Sequence, residues 1–414
     1  MRRGLQSVLA VIRRYDRRFW TLFGVQLVVA AGFGAAMPFV SIYMHGQLGA
    51  SMTLVGLVML ISALVAAVGR IVGGEIADRL GRRPLIIGGM AARVLAFAAM
   101  AYVVHVRAPV LFVGGAFVLV RLFGAMVRPG LAAMVADVVE PERRVEAYAL
   151  FRIGQNAGWA IGPAIGGAVV ATSFASVFLL TTAASLVGLL LMVFFTSESI
   201  RTFETSQFSI RRVLDVARDS RFLVFCAWCV VLYIVMGQFA STFAVFSTDA
   251  VGISEGLLGW IFTINGVVVV LFQWPAARLA ERIGIRRGLV LGCLLYAIGY
   301  FSVAFAHSFA FLALSMVIIT WGEVTFSPTS MAAVANMAPA ARVGRYMGFF
   351  GLTEALGWSL GPTLGGVLFD RLVGTPTVMW GIIAALGLTA ASGFWMTFRD
   401  SRQEPDSLES PGGG

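Results

Sequence analysis

Twelve stretches of this chain stay apolar for about 20 residues or more, at about 19–43, 52–74, 84–105, 108–137, 146–171, 174–196, 222–247, 256–280, 288–307, 309–338, 343–369 and 376–398. A bilayer core takes roughly 20 apolar residues per helix, whereas barrel strands alternate in character over about ten residues. Run length therefore predicts helices, and an all-α membrane protein with twelve transmembrane helices. Composition points the same way: 59% of residues are hydrophobic and 13% charged, where a water-soluble domain carries about 25% charged.

The chain also repeats itself at about half its length. Residues 158–167 read GWAIGPAIGG and residues 357–366 read GWSLGPTLGG, an offset of 199. Upstream, GEIADRLGRR at 74–83 returns as ARLAERIGIR at 277–286, with Asp78, Arg79 and Gly81 falling on Glu281, Arg282 and Gly284. Between them, Arg144, Val145 and Tyr148 return as Arg342, Val343 and Tyr346. A period this long marks a duplicated unit. The expected organisation is two pseudo-symmetric six-helix bundles, 19–196 and 222–398, joined by a cytoplasmic linker at 197–221. An interfacial segment at 1–18 precedes them and a disordered cytoplasmic tail at 399–414 follows. Duplicated halves with a site between them are the architecture of alternating access, so transport is the expected function and enzymatic chemistry is not.

The formal net charge of +10 does not point to nucleic acid, because its distribution is topological. All 31 basic residues are Arg, with no Lys anywhere. With residue 1 inside, they crowd into the stretch before the first span, Arg79–Arg83, Arg143–Arg144, 201–221, Arg282–Arg287, Arg342–Arg345 and the tail, while only Arg107 and Arg371 fall in outer loops. That is the positive-inside asymmetry, and it predicts a multi-pass protein of the inner (cytoplasmic) membrane with both termini cytoplasmic. The first apolar run is too long for a signal-peptide core and reads as an uncleaved helix. Without Lys there is no phosphate loop of the G-x-x-x-x-G-K-[ST] type, so the energy source is a gradient or the protein is a facilitator. Cys226 and Cys229 lie inside an apolar span with no further ligands at metal spacing, so neither metal nor cofactor is expected.

Two motifs carry most of the remaining information. Gly81 supplies the tight turn between spans two and three, within Gly74, Asp78, Arg79, Gly81, Arg82 and Arg83. This G-x-x-x-D-R-x-G-R-R loop resembles the signature of the major facilitator superfamily, and its weaker second copy extends the resemblance over the whole chain. Gly154, Gly158, Gly162 and Gly166 stand four residues apart and share a helix face suited to close contact. With Pro163 and Gly167 they form G-x-x-x-G-P-x-x-G-G, which resembles the antiporter motif of bacterial proton-coupled multidrug exporters. Its twin is Gly357, Gly361, Pro362, Gly365 and Gly366.

Ionisable residues inside spans are costly and hence functional candidates. Arg121 and Arg128 lie seven residues apart on one face of span four, and Glu323 lies near the middle of span ten. The resemblance implies that Glu323 carries protons and faces Arg121 across a central cavity, with Glu354 as a second proton-coupling candidate and Arg93 and Arg152 structural or snorkelling. Candidate cavity residues are Gln26, Phe33, Arg121, Arg128, Tyr233, Gln238, Phe239, Asn265, Trp321 and Phe326. Asp137 and Arg82 lose their charge together in the second copy, at Asn336 and Ile285, as a mutually dependent pair would. The resemblance implies that such a pair latches the cytoplasmic side of the outward-open state.

The expected function is proton-coupled export of amphipathic or lipophilic small molecules by a monomer, with protons, a small-molecule substrate and the lipid bilayer as partners. A carrier specific for one metabolite or organic anion is the first alternative. A non-transporting receptor or scaffold is the second.

Overall fold

The structure, a computed structural model, describes residues 14–198, 215–339 and 342–398. The expected interfacial segment up to residue 13, the linker residues 199–214 and the tail from 399 lie outside the described residues. Twelve principal helices follow one another among the described residues: α1 Arg17–Ile42, α2 Met52–Leu80, α3 Arg82–His105, α4 Val110–Val138, α5 Arg144–Val170 and α6 Phe174–Phe195. The second half repeats them as α7 Ser220–Met236, α8 Glu255–Ile283, α9 Ile285–Val303, α10 Phe309–Met337, α11 Val343–Leu372 and α12 Pro376–Thr397.

The duplication is visible in local structure. Ser51 and Ser254 each cap the following helix, accepting hydrogen bonds from Leu54 N and Leu257 N. Gly81 (φ 98°) and Gly284 (φ 87°) make the same abrupt turn from α2 to α3 and from α8 to α9, in a backbone region open essentially to glycine alone. Helix neighbours repeat as well. In the first half α1 packs on α5 and α6, α4 on α2 and α3, and α3 on α6; in the second, α7 packs on α11 and α12, α10 on α8 and α9, and α9 on α12. The halves meet chiefly through α2 on α11 and α5 on α8, an exchange with the same symmetry.

Nine of the described helices are long and apolar enough to span a membrane by composition alone. The exceptions are α7, which is interrupted, and α5 and α11, which carry the glycine motif. Those two hold their places by fit. A β-carbon added at Gly158 would lie 2.6–2.7 Å from Leu27 O, Ala30 Cβ and Ala31 N, and one at Gly162 would meet Ala31 O and lie 2.8 Å from Ala35 N, both on α1. In the second half, a β-carbon at Gly361 would lie 2.7 Å from Gly237 Cα and Ile234 O. Gly167 and Gly366 point elsewhere, onto α8 at Gly259 and onto α2 at Met52. Each motif helix therefore binds its own half with one glycine face and the other half with the next.

Span seven, expected to be continuous over 222–247, is instead broken between Met236 and Thr242. It resumes as a short turn, Thr242–Val245, and a π-helical turn, Phe246–Ala250. The cause is local. Gln238 sends its amide Nε2 to Ile234 O at 2.9 Å and to Gly361 O at 2.8 Å, and the backbone tightens to Gln238 N→Val235 O and Phe239 N→Met236 O bonds.

On the face opposite the Gly81 and Gly284 turns, the halves are tied together. Asp370, near the end of α11, accepts from Met52 N and Thr53 N (2.8 Å each) and Thr53 Oγ1 (2.6 Å) at the start of α2, where a helix N-terminus favours an anion. Thr363 Oγ1 donates to Gly56 O at 3.1 Å, Ser41 Oγ to Ala240 O at 3.4 Å, and His45 Nε2 stands 3.8 Å from Asp249 Oδ2.

Two outcomes follow from this packing. Gly162→Leu and Gly361→Leu are expected to be folded but poorly turning over, or poorly expressed, since overpacking costs about 1–3 kcal/mol; full transport by both would remove the tight-interface reading. Asp370→Ala removes a cap of charged hydrogen bonds worth on the order of 1.5–3 kcal/mol. Spin labels at the start of α2 and the end of α11 should then report a wider separation, and an unchanged distance distribution would show that the cap does not hold this face shut.

Candidate functional site

Between the halves lies a cavity of about 680 Å³. Its deep end sits against Pro38, Ser241 and Pro362, beside the contacts that close the far face. Toward the opposite face its lining includes Arg70, Arg128, Gly351 and Glu354, all of which remain exposed. The cavity is thus closed on the far side and open toward the Gly81 and Gly284 turns.

Six of the ten expected cavity residues line it: Gln26, Phe33, Arg121, Arg128, Phe239 and Asn265. Four lie off it. Tyr233 of α7 is buried, with its ring 6.0 Å from both Phe326 and Phe350. Phe326 is itself fully buried against Gly292 of α9. Trp321 packs on Phe272 of α8 at 5.0 Å. Gln238 is spent on the α7 break, with none of its surface exposed. The physical reason is rotational: on α10 the face turned to the cavity carries Ile319 and Glu323, and Trp321 and Phe326 fall outside it.

Both carboxylates line the cavity from the second half, but their surroundings differ from expectation. Glu323 does not pair with Arg121. Its Oε2 accepts from Asn265 Nδ2 of α8 at 3.0 Å, and the same amide donates to Thr320 Oγ1 at 2.9 Å. Glu354 is on the cavity wall, in the field of Arg152, Arg70 and Arg128.

The first half contributes a wall of cations. Arg70, Arg93, Arg121 and Arg128 all line the cavity. Arg93 does not snorkel to an interface: it is only 7% exposed, its guanidinium carbon 5.8 Å from the centre of Phe33 and 5.4 Å from that of Phe97. Arg121 stands over the same Phe33 ring at 5.7 Å, and Phe33 in turn meets Trp159 edge-on at 5.6 Å. Cation–π contact of this kind positions a guanidinium without consuming its hydrogen-bond donors.

The α2–α3 motif is tied to its neighbours α4 and α6. Arg82 forms an ion pair with Asp137 at the end of α4 and donates to Ala133 O at 2.8 Å. Arg83 Nη2 donates to Val193 O of α6 at 2.9 Å, and Glu198 accepts from the backbone N–H groups of Arg82 and Arg83 at 3.3 and 3.1 Å. Arg79 pairs with Glu75 on its own helix at 2.6 Å, while Asp78 is exposed and Gly74 borders open space. Apart from Glu198, which follows α6 at the start of the linker, every described partner of these side chains lies in the first half, and the Arg82–Asp137 pair is formed while the cavity is open on this face. In this arrangement, open on the turn side, the motif binds α3, α4 and α6 into one rigid half.

Comparison with known proteins places this geometry in context. The sequence profile of the Major Facilitator Superfamily matches residues 22–250 and 227–413. The multidrug resistance protein MdtH of Edwardsiella ictaluri (strain 93-146) is 30% identical, covering 98% of this chain and 99% of that protein. An MFS-type transporter of Bacillus subtilis (strain 168), YttB, is 28% identical over 81% of this chain and 84% of its own. Among solved structures, a POT family transporter in complex with a thioalcohol-conjugated peptide superposes with a TM-score of 0.75 at 16% identity, covering 91% of this chain and 95% of that one. The nucleoside transporter NupG does so at 0.75 and 14% identity, covering 93% and 100%.

The rigid-half geometry has a measurable consequence. Arg82→Ala and Asp137→Ala should be non-additive in thermal stability, with a coupling of about 0.5–3 kcal/mol as for residues sharing one network. Additive effects in a double-mutant cycle would show that the pair is not an energetic unit.

Proposed function

Because the chain belongs to the major facilitator superfamily, we propose that it is a proton-coupled exporter of amphipathic or lipophilic small molecules, acting as a monomer by alternating access. Several of its curated relatives carry the name multidrug resistance protein MdtH, which supports the export reading. In this reading the protein sits in the bacterial inner membrane with the Gly81 and Gly284 turns in the cytoplasm, where the arginine asymmetry puts them. The cavity then opens to the cytoplasm, and the halves 19–196 and 222–398 rock about it.

One observation carries the proton-coupling part. Asn265 bonds Glu323 on one side, and its chain neighbour Gly266 packs on Ala160 of α5, in the other half. A proton arriving at Glu323 removes its charge and turns one of its oxygens into a donor, which weakens the Asn265 bond and favours its rearrangement. That rearrangement acts on α8 where α8 meets α5, the contact that has to shift when access alternates. Glu354, set among arginines of the first half, is a second proton-coupling group and the wall's resident counter-charge. Aromatic surface from Phe33, Trp159 and Phe239 offers the apolar body of a substrate a place to lie.

Transport into inverted membrane vesicles under an imposed pH gradient tests the reading directly, and absence of gradient-dependent accumulation for any amphipathic probe would refute it. Within that assay Glu323→Gln is expected to abolish proton-driven flux while retaining ligand binding. Gln copies the protonated acid in shape but cannot release a proton. Unchanged flux in this variant would remove Glu323 from the coupling.

A further inference from the structure

We propose that the cavity selects amphipathic acids, holding an anionic head on the Arg70, Arg93, Arg121 and Arg128 wall while the apolar body lies against Phe33 and Trp159. The inference takes the cavity as the substrate site, as the export reading does, and adds the charge of what enters it.

The charge balance of the cavity leads there. Its acids are Glu323 and Glu354, both from the second half, against four arginines from the first. Glu323 is engaged by Asn265, and none of the four arginines makes an ion pair or donates a hydrogen bond to another described residue. Glu354 alone sets its charge against the cluster, facing Arg70 and Arg128. A guanidinium keeps its charge throughout the physiological range. Packed cations inside a membrane protein are costly without a partner anion, and a cationic ligand would raise that cost.

The donors are also arranged for a ligand. Arg93 is 7% exposed yet lines the cavity, and its Nε, like that of Arg121, is buried without an acceptor. Phe33 lies beneath both guanidinium groups, so one ring orients two forks. Arg93 Nη1 reaches across to α4, 3.7 Å from where a β-carbon of Gly124 would stand, which brings it beside the helix that carries Arg121 and Arg128. A carboxylate takes two parallel N–H bonds from such a fork, a geometry neither an amide nor an ammonium can reproduce. Substrate binding then replaces Glu354 as the counter-charge of the wall.

The test uses the purified full-length protein in nanodiscs of zwitterionic lipid, with 2-naphthoate, 2-naphthamide and 2-naphthylmethylammonium as probes of one apolar body and three charges. Naphthoate should bind roughly tenfold or more tighter than the amide, as charged hydrogen bonds allow. Arg93→Met and Arg121→Met should each lose that preference while leaving amide affinity within about twofold, as removal of such bonds predicts. Glu354→Gln should tighten naphthoate binding by removing the competing anion; with the wild-type probe series it keeps the test decisive if the arginine variants fold poorly. Equal or better binding of the amide or ammonium, or no response to Glu354→Gln, would overturn the proposal. So would loss of naphthoate binding when phosphatidylglycerol is added to the nanodisc, which would assign the wall to a lipid headgroup. Naphthoate that binds but is not moved by a pH gradient in inverted vesicles would count against export and leave the acid site standing; gradient-driven movement of the ammonium without naphthoate binding would do the reverse.

Discussion

Inside a bilayer no hydrophobic force draws one helix to another, so association depends on close fit and on the few polar bonds that can be made. In this protein that dependence converges on α5 and α11. Their glycines let the backbones of α1 and α7 approach until no β-carbon would fit at Gly158, Gly162 or Gly361. A neighbouring face of the same two helices meets the opposite half, at Gly259 of α8 and Met52 of α2. Because one helix serves both contacts, the position of each half is referred to the other through a stiff intermediary. The cavity, its closed end and the placement of Asn265 beside the α5–α8 contact all rest on this arrangement.

The motif loop contributes in a complementary way. Arg82, Arg83, Asp137 and Glu198 knit the ends of α3, α4 and α6 together. A half that moves as a body needs its own helices fixed at the face that opens, where no contact with the other half steadies them. The second copy, lacking the charges at Ile285 and Asn336, keeps the counterpart of the Arg83 bond: Arg286 of α9 donates to Trp395 O of α12, its guanidinium over the Trp395 ring at 3.9 Å.

Fold class was legible because its signals are local and additive: apolar run length, a glycine at each α2–α3 type turn, and a repeat that any misalignment would spoil. Gln26, Arg121, Arg128 and Asn265 were found as cavity residues because a polar or charged group in the middle of a span has few other uses. Tyr233, Trp321 and Phe326 were misplaced for the converse reason. An aromatic ring suits a helix–helix seam as well as a cavity wall, and only helix rotation, which is set by neighbours, tells them apart. Gln238 was missed as a breaker of α7 because its partner, Gly361 O, lies 123 residues away. Arg93 read as structural or snorkelling, and only its position over Phe33 and Phe97 puts it on the cavity wall.

The absence of lysine has a consequence for how this protein can respond to its surroundings. An ammonium buried in a wall can shed its proton and fall silent, but a guanidinium cannot. The positive wall of the cavity is therefore a constant of the molecule, the same in acid and in alkali and the same whichever side is open. Among the charged groups of the described lining, only Glu323 and Glu354 can lose their charge by taking up a proton, so variability in the cavity's charge rests with these two carboxylates. The fixed wall supplies a standing field, and two oxygen acids write every change upon it.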